Sequence, residues 1–406
     1  MIDFSLDKDQ EAMVALARDF GRRQMGDAEL AVDRMPDPVV AFASPEYRDT
    51  MAAAFELGIH KLTIPERFGG LGIDPVTAGL VWEELARHGV GFTAGLLAGS
   101  VVPALIAFLA PDNAALVDRF VRPFCDDATG AWLTGWGSSE PDVGSDGKNY
   151  DDLAVHHRLR ARPVAGGYVL NGEKSAFVSN GGVARAIVVA ACVEPAKGLR
   201  GSGMFVLDSD VSGVHQATPQ DRLGLRALNQ AVVSFDDAFV PDDQLLFPPS
   251  DEYPALHHAI VTVGNLGTGY LAVGLMRAAY DLALDYARER VQWGRPIIEH
   301  QLVAKRLFDA RAAIELSRAL LWKGSCRSRD AFPGDLCTSL TAKISATNFA
   351  LEHTVKLAQV LGAYGITREY PLEKLVRDAP LLTIMDGTND TLLLEAMAHL
   401  PPTDGT

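Results

Sequence analysis

Hydrophobic positions along this chain follow two periods, and the changes between them mark three regions. In residues 1–125 the period is helical. Asp7 with Gln10 three residues on has the form of a capping box, and Met13, Leu16, Ala17 and Phe20 follow at the spacing of one helix face. A second helical stretch, 76–88, comes after a glycine-rich loop at 64–74. That loop has neither G-x-G-x-x-G spacing nor a following Lys-Ser/Thr, so it reads as a structural turn. Residues 126–245 change to short β-branched or alternating runs at 131–136, 156–163, 168–172, 186–193, 204–207 and 231–235, separated by turn residues. No helical stretch alternates with them, which argues against a doubly wound nucleotide fold and predicts a compact antiparallel β-domain. From Tyr253 the helical period returns, so residues 246–406 are predicted to form an antiparallel helix bundle. Gly264, Gly267, Gly269 and Gly274 fall in its first segment, where they weaken the helix but let neighbours approach closely. The fold class is thus α+β and multi-domain, and residues 401–406 are expected to fray.

Composition narrows the function without naming it. A chain of 406 residues predicts two or three domains with a large core. Its 48 % hydrophobic and 22 % charged residues are those of a soluble globular protein, and no apolar run reaches the roughly 18 residues of a membrane span. The N-terminus lacks the basic-then-apolar order of a signal peptide, so cytoplasm is the expected location. Cys125, Cys192, Cys326 and Cys337 are dispersed and the ten histidines show no ligand spacing, so neither a disulfide framework nor a metal site is expected. A net charge of −15 without any Lys/Arg block disfavours nucleic acid and anionic membranes as partners.

Four segments carry candidate chemistry. Trp136-Gly-Ser-Ser-Glu-Pro-Asp-Val-Gly-Ser-Asp146 reads by itself as a turn with a capping acid. Asn171-Gly-Glu-Lys-Ser-Ala-Phe-Val-Ser-Asn-Gly181 reads as a strand with Phe177 facing the core. Arg288-Glu-Arg-Val-Gln-Trp-Gly-Arg-Pro-Ile-Ile-Glu-His-Gln301 reads as a charged helix face. Asp386-Gly387 reads as a turn, flanked by Gln359-Val-Leu-Gly-Ala-Tyr-Gly and Thr388.

Together and in this order the four resemble the acyl-CoA dehydrogenase family, and the resemblance spans essentially the whole chain. It implies noncovalently held FAD and a fold of helical domain, β-domain and helix bundle. The first motif is similar to Thr-Glu-Pro-x-x-Gly-Ser-Asp, which implies Trp136, Ser138 and Ser139 at the flavin ring and Ser145 on the pantetheine arm of a thioester. Such donors suit a ring that gains negative charge on reduction. The second is similar to Asn-Gly-x-Lys-x-Trp-x-Thr-Asn-Gly with one extra residue before the aromatic, which places Phe177 on the isoalloxazine and Ser179 at N5. The third is similar to Arg-x-x-Phe-Gly-x-x-[Leu/Ile]-x-x-x-Gln. It implies that Arg290, Trp293 and Gln301 reach the FAD pyrophosphate and adenine across a homodimer or homotetramer interface, a role suited to the guanidinium fork. Gln359, Gly362, Thr388 and Asn389 would complete the cofactor pocket.

In this family the residue before Gly-Thr is usually Glu, the base that removes the α-proton as flavin takes hydride from Cβ. Here it is Asp386, with Gly387 beside the substrate. The shorter side chain withdraws the carboxylate by about 1.5 Å, a displacement that can cost about 100-fold on an unchanged substrate. Some members with Asp here act on nitroalkanes or on branched and cyclic acyl thioesters, so an altered substrate is implied. Counting back from Arg290 puts Thr262-Val-Gly-Asn265 where many relatives carry an Asp-x-x-Arg that holds CoA, and no Lys or Arg follows Arg377. The expected reaction is α,β-dehydrogenation of an acyl thioester carried on CoA or on an acyl carrier protein, with an electron-transfer flavoprotein as the candidate electron partner. The alternative is a flavin oxidase or monooxygenase acting on a nitroalkane or specialised metabolite.

Overall fold

The computed structural model describes residues 5–398, so the expected fraying of 401–406 lies outside the described residues. Helices α1 (Lys8–Phe20), α2 (Gly26–Arg34), α3 (Pro38–Ala43), α4 (Pro45–Glu56), α5 (Pro75–Ala86), α6 (Val90–Gly99), α7 (Val101–Leu109), α8 (Ala114–Leu116) and α9 (Arg122–Asp126) come first. The capping box is present: Asp7 accepts from the Asp9 and Gln10 amides while its own N–H donates to Gln10 Oε1.

An eight-stranded sheet follows, built from β1 (Thr134–Gly137), β2 (Arg160–Val164), β3 (Gly167–Ser179), β4 (Ala186–Cys192), β5 (Ser202–Asp208), β6 (Val214–Gln216), β7 (Gln230–Pro241) and β8 (Leu245–Phe247). Its main path runs β6-β7-β3-β1-β4-β5-β8, with β2 against β3 and β4. The expectation of a purely antiparallel domain needs correction, because β1 and β2 both pair parallel to β4. The antiparallel β2–β3 hairpin lies between β1 and β4 in sequence and returns the chain, so β4 enters in the direction of β1.

The last region holds α10 (Tyr253–Glu289), a short hairpin of β9 (Val291–Gln292) and β10 (Arg295–Pro296), then α11 (Gln301–Asp330), α12 (Leu336–Ala358), α13 (Leu372–Leu382) and α14 (Asn389–Ala398). Helix α10 is central, packing on α5, α11, α12 and α13. Its glycines permit that: a Cβ on Gly274 would stand 2.4 Å from the Glu83 carbonyl of α5, and one on Gly269 2.4 Å from Leu321 of α11. Residues 90–109 and α10 are, contrary to the count of uninterrupted apolar residues, long and apolar enough to cross a membrane, because Gly, Ser and Thr interrupt the run without making it polar. Both are mostly buried within the protein.

All three regions meet at one buried ammonium. Lys374 of α13 donates to Glu29 Oε1 of α2 (2.8 Å) and to Asp378 Oδ2 (2.6 Å). Glu29 also accepts from the Gly91 and Phe92 amides at the start of α6, donors with no partner inside their own helix. Asp378 Oδ1 accepts the Leu225 amide from the loop before β7 (2.6 Å). Burial alone would lower the Lys374 pKa, but Asp378 and Glu29 outweigh it and hold the ammonium charged. Arg377 adds a two-pronged contact to Asp33 at 2.7 and 3.0 Å. Lys374→Met strands two carboxylates without a cation, which should cost about 3–5 kcal/mol. Chemical denaturation measures it, and a loss below about 1 kcal/mol would show the junction to be dispensable.

Candidate active site

Two segments of the sheet are locked together by a second buried ion pair. Past β1 the chain turns at Glu140, whose Oε1 accepts from Lys174 Nζ at 2.6 Å; neither side chain is exposed. Glu140 also accepts the Arg158 and Leu159 amides, and Lys174 reaches the Ser138 carbonyl at 3.1 Å. Burial pushes the Lys174 pKa down to about 8, with Glu140 opposing. The Ser175 amide bonds the Ser139 carbonyl at 2.9 Å, so the segment of Ser138 and Ser139 is fixed against the one that leads to Phe177. Neither Glu140 nor Lys174 was assigned a role from the sequence, which holds no local sign that the two meet.

Phe177 is set by an irregularity in β3. Pairing with β7 advances from Lys174↔Val233 to Val178↔Ala231, so residues 175–177 bow out opposite Val232 alone. The bow leaves Phe177 64 % exposed, so the core-facing alternative does not hold. Trp136 and Ser179 are directly paired between β1 and β3 and share one sheet face.

The third part is the loop after α13. Asp386 and Gly387 have φ of 54° and 102°, a left-handed turn that Asp and Gly tolerate better than most residues. Thr268 Oγ1 of α10 donates to Asp386 Oδ2 at 2.6 Å, and Asn265 Nδ2 reaches the Asp386 carbonyl at 3.4 Å. Oδ1 has no hydrogen-bond partner among the described residues, and Asp386 is exposed. A Cβ on Gly264 would lie 3.6 Å from Oδ2. From beneath, Lys343 of α12 donates to the Gly387 carbonyl and Asn389 Oδ1, both at 2.8 Å, and to the Thr383 carbonyl at 3.4 Å. Burial pushes the Lys343 pKa down to about 7, against the opposing pull of Asp386. Lys148, which follows Ser145 on an exposed turn, pairs with Glu395 of α14 at 2.7 Å and brings the end of the first motif beside Gly387.

Residues 7–114, 135–238 and 258–400 match family models described as the acyl-CoA dehydrogenase N-terminal, middle and C-terminal domains. This chain belongs to the acyl-CoA dehydrogenase family. A cyclohex-1-ene-1-carbonyl-CoA dehydrogenase of Geobacter metallireducens is 29 % identical over 399 residues, covering 98 % of this chain and 99 % of that protein. The structure of butyryl-CoA dehydrogenase from Megasphaera elsdenii superposes with a TM-score of 0.86 at 26 % identity, covering 98 % and 99 % of the two chains. Nitroalkane oxidase superposes with a TM-score of 0.90 at 21 % identity, covering 99 % and 97 %, and shows the shared fold alone.

As a member of this family the protein is an FAD-dependent oxidoreductase acting on CH–CH groups. The residues that the sequence assigns to the cofactor lie in two clusters. Trp136, Phe177 and Ser179 offer aromatic and hydroxyl groups on the sheet. Arg290 lies at the far end of α10, roughly 33 Å along the helix from Thr268, exposed and outside any ion pair among the described residues. Trp293, 95 % exposed, and the exposed Gln301 follow it. Tyr286 packs edge-on against Tyr364 and Tyr370, joining this end of α10 to the segment of Gly362, with the exposed Gln359 just before it.

Two sequence expectations change. Asn265, at the position where many relatives carry a CoA-holding Arg, is fully buried and bonded to the Asp386 carbonyl, and Asn389, expected at the cofactor, is occupied by Lys343, Thr347 and Asn348. Thr388 Oγ1 pairs with Thr391 Oγ1 at 2.7 Å in the first turn of α14. Thr268→Val keeps the shape but removes a hydrogen bond to a carboxylate, about 1.5–3 kcal/mol, so flavin reduction should slow by about 10- to 100-fold. Stopped-flow rates equal to those of the parent would deny the hydroxyl any role.

Proposed function

We propose that Asp386 is the base of an α,β-dehydrogenation whose acyl thioester is bulky at Cα. The observation that carries this is the carboxylate itself: Thr268 anchors Oδ2, which leaves Oδ1 free to take the α-proton. The bound flavin supplies the acceptor for the hydride leaving Cβ. Asp386 aims Oδ1 at Cα, holds the proton after transfer, and offers its backbone N–H, which has no acceptor among the described residues, to the thioester carbonyl. The shorter base and Gly264 both enlarge the space beside the reacting carbon. That space suits a branched or cyclic acyl group, and the Geobacter relative, named for a cyclic acyl-CoA, supports this reading.

The carrier is read from a groove of about 390 Å³ lined by Ala255, His258, Thr262, Asp335, Leu336 and Cys337, among others. It runs along α10 to within two residues of Gly264 and contains no Lys or Arg. Asp335 already caps α12, accepting the Thr338 amide at 2.8 Å, and its carboxylate would repel a phosphate brought into the groove. A neutral pantetheine arm fits this lining better than a nucleotide, which favours a carrier-protein thioester. Arg290, Trp293 and Gln301 reach the FAD of a second copy, making the working unit a homodimer or homotetramer.

Asp386→Asn should keep FAD and fold yet slow anaerobic flavin bleaching by on the order of 10² to 10⁴. Bleaching at the parent rate would remove Asp386 from the mechanism. The parent, once bleached, should reoxidise slowly in oxygen; rapid peroxide formation would identify an oxidase instead. Pantetheine thioesters should react with kcat/KM within about tenfold of the matching CoA esters. A deficit beyond about 100-fold, ~2.7 kcal/mol, would mean that CoA is gripped elsewhere.

A further inference from the structure

Lys343 is fully buried, and its Nζ has no carboxylate within hydrogen-bond distance among the described residues. All three oxygens it donates to belong to the segment bearing Asp386: Thr383 O before the turn, Gly387 O within it and Asn389 Oδ1 after it. Asn389 is in turn fixed by Thr347, one helical turn along α12 from Lys343, through Nδ2 to Thr347 Oγ1 at 2.9 Å. The loop between α13 and α14 is therefore stapled at both ends to one face of α12. Between the staples the backbone adopts two consecutive positive φ values, a conformation that the surroundings must impose for a non-glycine residue.

We infer that Lys343 is a positioning residue: by binding both ends of the loop it holds Asp386 in the left-handed turn that keeps its carboxylate against Thr268 with Oδ1 free. This rests on Asp386 being the base. Three donors on one flexible stem suit the task, since they reach carbonyls at different heights in a way that a planar guanidinium does not. An uncharged side chain of similar length leaves these oxygens buried without donors and releases the turn.

The test is a cycle of variants of the FAD-loaded enzyme, read by anaerobic flavin bleaching. Lys343→Met should lower the limiting rate by about 10- to 100-fold while FAD content and the substrate concentration for half-maximal rate change less than about threefold. In an Asp386→Asn background the same substitution should slow bleaching by no more than about twofold, because a residue that acts through the base has nothing left to position. A parent-like rate for Lys343→Met, or an undiminished loss in the Asp386→Asn background, would overturn the inference. If instead Asp386→Asn alone bleaches at the parent rate, the base assignment fails first and the two failures are told apart. Should Lys343→Met not fold, Asn389→Ala removes one of the three acceptors and should slow bleaching severalfold with the same dependence on Asp386; additivity with Asp386→Asn would again overturn the proposal.

Discussion

The protonated Lys374, enclosed by Glu29 and Asp378, is the constraint from which the geometry of the site descends. A buried charge of this kind is stabilising only when every partner is in place. Here the partners come from α2, from α13 and, through the Leu225 amide, from the loop that precedes β7. Helix α13 therefore has one seat, shared by all three regions. Its C-terminal end delivers the loop of Asp386, and any tilt of α13 would move the carboxylate relative to both α10 and the sheet.

A second ion pair, Glu140–Lys174, acts on the opposite wall. It joins the turn after β1 to the strand that bears Phe177 and Ser179. The loop of Asp386 and the strand of Phe177 are thus each held through a lysine whose own charge is already paired. Each ion pair is buried while the residues it holds in place, Asp386 and Phe177, are exposed.

Much of this was legible from residue patterns. The change from helical to alternating period located the sheet, and Asp7 with Gln10 located the first helix. What was not legible depends on contacts between distant positions. Thr268 with Asp386, Glu140 with Lys174 and Lys343 with Gly387 each join residues far apart in sequence, and no periodicity records such a meeting. The parallel pairing of β1 with β4 escaped for the same reason, since alternation sets which face a side chain takes but not the direction of its neighbour. Asn265 shows the converse limit: the ungapped count located it, but only the structure shows it buried on α10 and bonded to the Asp386 carbonyl.

The exchange of Glu for Asp is intelligible in these terms. A longer acid in the same turn would carry its carboxylate past Thr268 and into the space that Gly264 leaves open. The shorter one stays within reach of a hydroxyl that is itself fully buried on α10, and so gains a fixed direction that a flexible side chain would lack. Reach is lost and aim is gained. On the side of Gly264 a Cβ would meet only Asp386 itself, so the glycine leaves that carboxylate uncrowded from α10.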